Sequence, residues 1–97
     1  MTSAIYYEET QALVQTFSQE DQAYFQDLWD YFNFAGFLYE EKALREQVYN
    51  LALDFSQASG DGLTAKDYFG QDPKGMADQI LENMPKESTR SVLKYGA

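Results

Sequence analysis

Sixteen carboxylates, with no histidine and no cysteine, set the chemistry this 97-residue chain can offer. Without imidazole or thiolate there is no usual zinc ligand, no usual general base near neutral pH and no cysteine nucleophile. What remains to weigh is oxygen-ligand metal binding, phosphate cradling and serine chemistry. The best calcium register runs from Gln57 to Tyr68 and sets Asp61, Gly62 and Leu63 at the fifth, sixth and seventh places of an EF-hand loop. It leaves Gln57 at the first ligand position and Tyr68 where a bidentate glutamate is required, so the segment reads as a turn. Di-metal carboxylate bundles draw on Glu-x-x-His, which a chain without histidine lacks, and the other acids read as a solvated face.

Gly70-Gln71-Asp72-Pro73-Lys74-Gly75 has the glycines and the lysine of a phosphate loop, yet it lacks both the Walker spacing and a preceding strand. Proline also removes an N–H that an anion nest would use, so these residues read as a helix cap. Ser3, Ser18, Ser56, Ser59, Ser88 and Ser91 have no histidine to activate them, and only Ser91 is followed three residues later by a lysine, Lys94. No catalytic, cofactor-binding or metal-binding residue is expected, and the chain is not expected to be an enzyme.

Tyr24, Phe25, Trp29, Tyr31, Phe32, Phe34, Phe37 and Tyr39 crowd one short stretch. Rings that stack nucleic-acid bases are normally accompanied by lysine or arginine, and here every interleaved charge is acidic. Core packing therefore accounts for most of them. Rings on one helix cannot all face the same way, and Tyr31, Phe34 and Tyr39 are the candidates to leave the core and mark an interface with a partner.

The elements that must carry these residues are helices. Ile5, Tyr6, Leu13, Val14 and Phe17 predict a first helix over Ala4 to Phe17. Ser18, followed by Gln19, Glu20 and Asp21, is a helix N-cap with acids in the first turn, where they face the positive end of the macrodipole. Behind it, Tyr24, Phe25, Leu28, Trp29, Tyr31, Phe32 and Ala35 recur at three- and four-residue steps. After a break at Gly36, with Phe37 and Leu38 packing at the corner, a third helix from about Tyr39 or Glu40 presents Leu44, Val48, Leu51, Ala52 and Phe55. Glu41–Arg45 and Lys42–Glu46 support it as i, i+4 pairs. Gly60-Asp61-Gly62 end it.

Thr64 and Asp67 then form a capping box for a short helix closed at Gly70, and Asp72-Pro73 start the last main helix with Met76, Ala77, Ile80, Leu81 and Met84 on its core face. Pro85 stops it. A weak helical pattern over Ser88 to Tyr95 is too short to stand alone. The expected fold is all-α: a small helical bundle of about five segments, with a short helix between the third helix and the last main one. The expected core comprises Phe25, Leu28, Trp29, Phe32, Leu44, Val48, Leu51, Phe55, Phe69, Met76, Ile80 and Leu81. Residues 1–84 form one domain and residues 85–97 a basic tail.

Charge is distributed unevenly along this frame. Residues 1–41 hold eight acids and no base, whereas the tail holds Lys86, Arg90 and Lys94 against Glu87. The net charge of -9 is the wrong sign for neutralising phosphates, so no nucleic-acid partner is expected. A basic tail carrying Val92, Leu93 and Tyr95 suits a juxtamembrane stretch, and predicts that the natural protein continues past Ala97 into a membrane segment. The chain has neither a run of 18 apolar residues nor a signal-peptide pattern at its start, so the expected location is the cytoplasm.

The run from Gly62 to Leu81, with its Gly-Leu-Thr-Ala turn, Phe69-Gly70, Pro73 and alanine-leucine helix, resembles a signature of small bacterial helical domains of unknown function related to HAAS-type signalling domains. Glu20 to Gly36, with Tyr31-Phe32-Asn33-Phe34-Ala35, is similar to the aromatic helix of stand-alone members, some of them labelled ferritin-like DNA-binding proteins. The resemblance covers about two thirds of the chain and leaves out Thr2 to Phe17. Members occur alone, often beside PadR-type regulators, or as cytoplasmic domains in front of transmembrane helices. It implies a non-catalytic helical interaction or regulatory domain with a protein partner and no cofactor. Two other functions compete with it: a stand-alone acidic protein that mimics DNA and occupies a basic regulator, and a bacteriocin-immunity-like bundle.

Overall fold

Capping chemistry decides where each helix begins. Thr2 accepts the N–H of Ile5 and starts α1 (Ser3–Val14). Ser18 Oγ accepts the N–H of Asp21 at 3.2 Å and starts α2 (Gln19–Ala35). The third helix, α3 (Glu41–Gly60), closes with the N–H of Leu63 on the carbonyl of Ala58 and that of Gly62 on Ser59, both at 3.1 Å. This is a Schellman arrangement, and it needs the positive φ of 89° that Gly62 supplies. Thr64 and Asp67 exchange side-chain-to-backbone hydrogen bonds as a capping box at the start of α4 (Ala65–Phe69). Asp72 accepts the N–H of Lys74, and Pro73 takes the first position of α5 (Pro73–Glu82).

The computed structural model describes residues 2–35 and 39–84, and within them the fold is all-α, five helices with the short α4 between α3 and α5. Expectations for Gly36, Phe37, Leu38 and everything from Pro85 to Ala97 lie outside the described residues. None of the described helices is long and apolar enough to cross a membrane.

The helices pack as two parallel pairs running in opposite directions. Arg45 of α3 bonds Ser3, and Tyr49 packs on Tyr6 one turn further along both helices, so α1 and α3 advance together. Tyr24 donates to the Gly70 carbonyl and Tyr31 to Asp78, so α2 and α5 do the same. A tight turn reverses the chain between α1 and α2, with Tyr7 against Trp29 and Phe17 against Phe25. At one end α4 closes the bundle, touching α2, α3 and α5.

There the core is aromatic: Phe17, Tyr24, Phe25, Phe55 and Phe69 interlock at centroid distances of 5.0 to 6.5 Å. Phe25 and Phe55 are completely buried, worth about 1.5 to 3 kcal/mol each. Nine of the twelve expected core residues are buried; Leu51, Phe69 and Met76 are only partly so, packed on the core's edge. The first helix departs from expectation, because it ends at Val14 and not at Phe17. The N–H groups of Thr16 and Phe17 fall back on Leu13 and Val14, and this tightened turn swings the Phe17 ring onto Phe55.

Candidate functional site

The outer face of α2 follows from the helical period. Core-facing Phe25, Leu28 and Phe32 lie on one side, and Phe34 falls roughly 200° around the helix from Phe32, on the opposite side. Its ring is 82% exposed, far more than any other large apolar side chain among the described residues. Glu20, Ala23, Asp27 and Asp30 are exposed at three- and four-residue steps leading up to it. No lysine or arginine occurs anywhere on α2, so the stripe is acidic and ends in a bare aromatic ring. Among the described residues, bases approach only from its flanks: Lys66 of α4 lies 4.0 Å from Glu20, and Lys74 of α5 sits 6.0 Å from the centre of the Tyr31 ring.

The other two rings expected at the surface sit differently. Tyr31 is half-buried against the core and donates its hydroxyl to Asp78, and this bond, reinforced by burial, holds the phenol above its ordinary pKa. Tyr39 is also half-buried on the core. Tyr31 and Tyr39 thus lie at the edge of the core, partly covered and partly open. Each is a two-ended side chain whose ring covers apolar neighbours while its hydroxyl can face a polar partner or water. Of the three, Phe34 alone leaves the core.

A feature that local spacing could not disclose lies at the other end of the same helix. Asp21 is 4% exposed, and its carboxylate accepts the N–H of Ala65 at 2.8 Å. The first backbone N–H of α4 is thus capped by a residue of α2, while Thr64 serves Asp67. Ser-x-x-Asp at the start of α2 looked like a local N-terminal pattern, and its acid instead ties α2 to α4. That contact holds the acidic stripe in fixed relation to the closing helix.

Shallow depressions lie between the described helices. One of about 340 Å³ opens between α1 and α2, lined by Gln11, Gln15, Gln22 and Gln26 over Val14 and Trp29. Another, of about 250 Å³, lies between Gln47 of α3 and the Met76-Ile80-Met84 side of α5. Neither holds a charged residue or a group placed to act as acid or base. The turn tested above for calcium forms a helix end followed by the capping box, and Asp67 uses its carboxylate on the N–H of Thr64. Among the described residues no three carboxylates converge as metal ligands would. Comparisons with protein-family models, with curated proteins and with solved structures yield no match.

Proposed function

We propose that this chain is a non-catalytic interaction domain that docks a basic protein surface through the outer face of α2, with Phe34 entering an apolar pocket of the partner. The observation that carries this is the 82% exposed Phe34 at the end of a stripe bearing Glu20, Asp27 and Asp30 and no base. A phenyl ring left in water is a large unspent apolar surface, and covering it is favourable at about 25 cal/mol per Å². The surrounding acids select the sign of the partner and speed its approach. A cytoplasmic location, and a place in front of a membrane segment, belong to the same proposal and draw on the resemblance to HAAS-related domains.

The test compares Phe34→Ser with Leu53→Ser, which alters a 40% exposed side chain on α3. Both variants, and the wild type, serve as bait in cells that make the protein. Loss of one basic partner with Phe34→Ser alone supports the proposal. Equal retention by all three baits overturns it.

A further inference from the structure

We propose that the outer face of α2 has an occupant within this same chain, the basic segment Lys86–Tyr95, which a docking partner must displace; this rests on the reading of that face as the docking surface. The register of two helices brings face and segment together. Tyr24 bonds Gly70 and Tyr31 bonds Asp78, pairs 46 and 47 residues apart, so α2 and α5 run side by side in the same direction. Carried forward, that register sets the end of α5 at Glu82 level with the end of α2 at Ala35. The chain that follows α5, outside the described residues, therefore starts beside Phe34. Asp27 and Phe34 lie three residues beyond Tyr24 and Tyr31, hence about 60° around α2 from the side that meets α5. A segment leaving α5 reaches the stripe without crossing the bundle.

Charge selects this segment as the occupant. Among the described residues no lysine or arginine pairs with Asp27 or Asp30: Asp30 accepts the neutral amide of Gln26 at 2.9 Å, Lys66 lies by Glu20, and Arg45 is engaged by Glu41 at 3.0 Å. Lys86, Arg90 and Lys94 are three of the chain's seven bases, with Glu87 the one acid among them. Val92 and Leu93 sit between Arg90 and Lys94, so an apolar pair comes with a cation on either side, the complement of an 82% exposed ring with acids beside it. Extended chain spans at most about 3.3 to 3.6 Å per residue, so the stretch from Met84 to Val92 reaches about 26 Å. That exceeds the roughly 21 Å of α2 between Glu20 and Phe34. Val92 and Leu93 seat on the Phe34 ring and remove apolar surface of both from water, while Arg90 and Lys94 come against Asp30 and Asp27. Exposed ion pairs are individually weak, which leaves the segment displaceable.

The chain has no cysteine, so a nitroxide on Gly96→Cys is a single label on the full-length sequence. In nitrogen–proton correlation spectra at low salt it should erase the amide signals of Asp27, Asp30 and Phe34 and spare those of Leu53 and Asp54, exposed on α3. Arg90→Glu with Lys94→Glu, or salt at about 1 M, where the screening length is about 3 Å, should restore them. Mixing nitroxide-bearing chains with isotope-enriched chains that carry no nitroxide should leave the signals intact, because the contact lies within one chain. Persistent α2 signals at low salt, equal loss from α2 and α3, loss that survives charge reversal, or loss in the mixture overturns the proposal. Partner capture separates this from the reading it rests on: Arg90→Glu with Lys94→Glu should capture more of the basic partner than wild type. Capture that depends on Phe34, found together with persistent α2 signals, leaves the docking face standing and removes its intramolecular occupant.

Discussion

Replacing Asp21 with alanine removes the carboxylate that caps α4 from another helix. In the native protein that carboxylate accepts the Ala65 N–H at 2.8 Å, at a position only 4% exposed. A hydrogen bond to a charged group contributes about 1.5 to 3 kcal/mol, and the truncation leaves a buried N–H with no replacement acceptor. One effect reduces the loss, since an alanine gap admits water; the exposed Glu20–Lys66 pair nearby contributes almost nothing and does not compensate. The expected loss is about 2 kcal/mol, a substantial share of the roughly 5 to 15 kcal/mol that holds a domain together. At about 4 to 8 °C per kcal/mol for a chain of this size, melting falls by roughly 10 °C. Asp21→Asn retains an oxygen acceptor without the charge and should lose about half as much. Urea denaturation followed by far-ultraviolet circular dichroism gives the numbers, with Asp27→Ala on the exposed face of the same helix as control. If Asp21→Ala and Asp27→Ala both fall within about 0.5 kcal/mol of wild type, the ordinary range for surface changes, the inter-helix cap contributes no stability.

Other consequences are equally concrete. Trp29→Ala should destabilise by about 3 to 5 kcal/mol, and a change under about 1 kcal/mol would place that ring outside the core. Thr64→Ala and Asp72→Ala should each lose about 0.5 to 2 kcal/mol in thermal or urea unfolding, through their caps on α4 and α5. Tyr24 sits above its ordinary pKa of 10.0, through burial first and the nearby Asp72 second. Its neutral form is therefore favoured in the fold: stability is intact below pH 10, falls as the unfolded chain begins to ionise, and is lost as pH rises through the raised native value. Tyr24→Phe should be less stable at neutral pH, having lost its bond to Gly70, yet show a shallower alkaline decline; an unchanged slope would refute the assignment. Duplex DNA should show no binding at physiological salt in a gel-shift or fluorescence anisotropy assay, because a chain of net charge -9 repels phosphate.

The helix boundaries were legible because their signals are local. Ser18, the Gly60-Asp61-Gly62 turn, the Thr64-Asp67 box and Asp72-Pro73 each act within four residues, so reading along the chain suffices. Phe34 could likewise be placed outside the core, since its angular position on α2 opposes Phe32. For Tyr31 and Tyr39 spacing does not say how far each ring is covered, because a ring with a polar tip satisfies core and surface at once, and both lie at the core's edge. Asp21 was invisible for a different reason: its partner is 44 residues away, and only the packing of α4 onto α2 brings them together. The end of α1 was overextended because Phe17 keeps the apolar period while leaving the helix, a choice made by Phe25 and Phe55.

The proposed docking surface is Phe34 with its acidic approach along α2. The most direct measurement is site-specific photo-crosslinking with a benzoylphenylalanine placed at position 34 and, separately, at position 53, in cells making the protein. Position 34 should give one discrete adduct, formed with a protein of basic surface, weakened by Asp27→Lys with Asp30→Lys and by added salt in lysates, and absent from position 53. No adduct from position 34, or the same adducts from both positions regardless of charge reversal and salt, would contradict it.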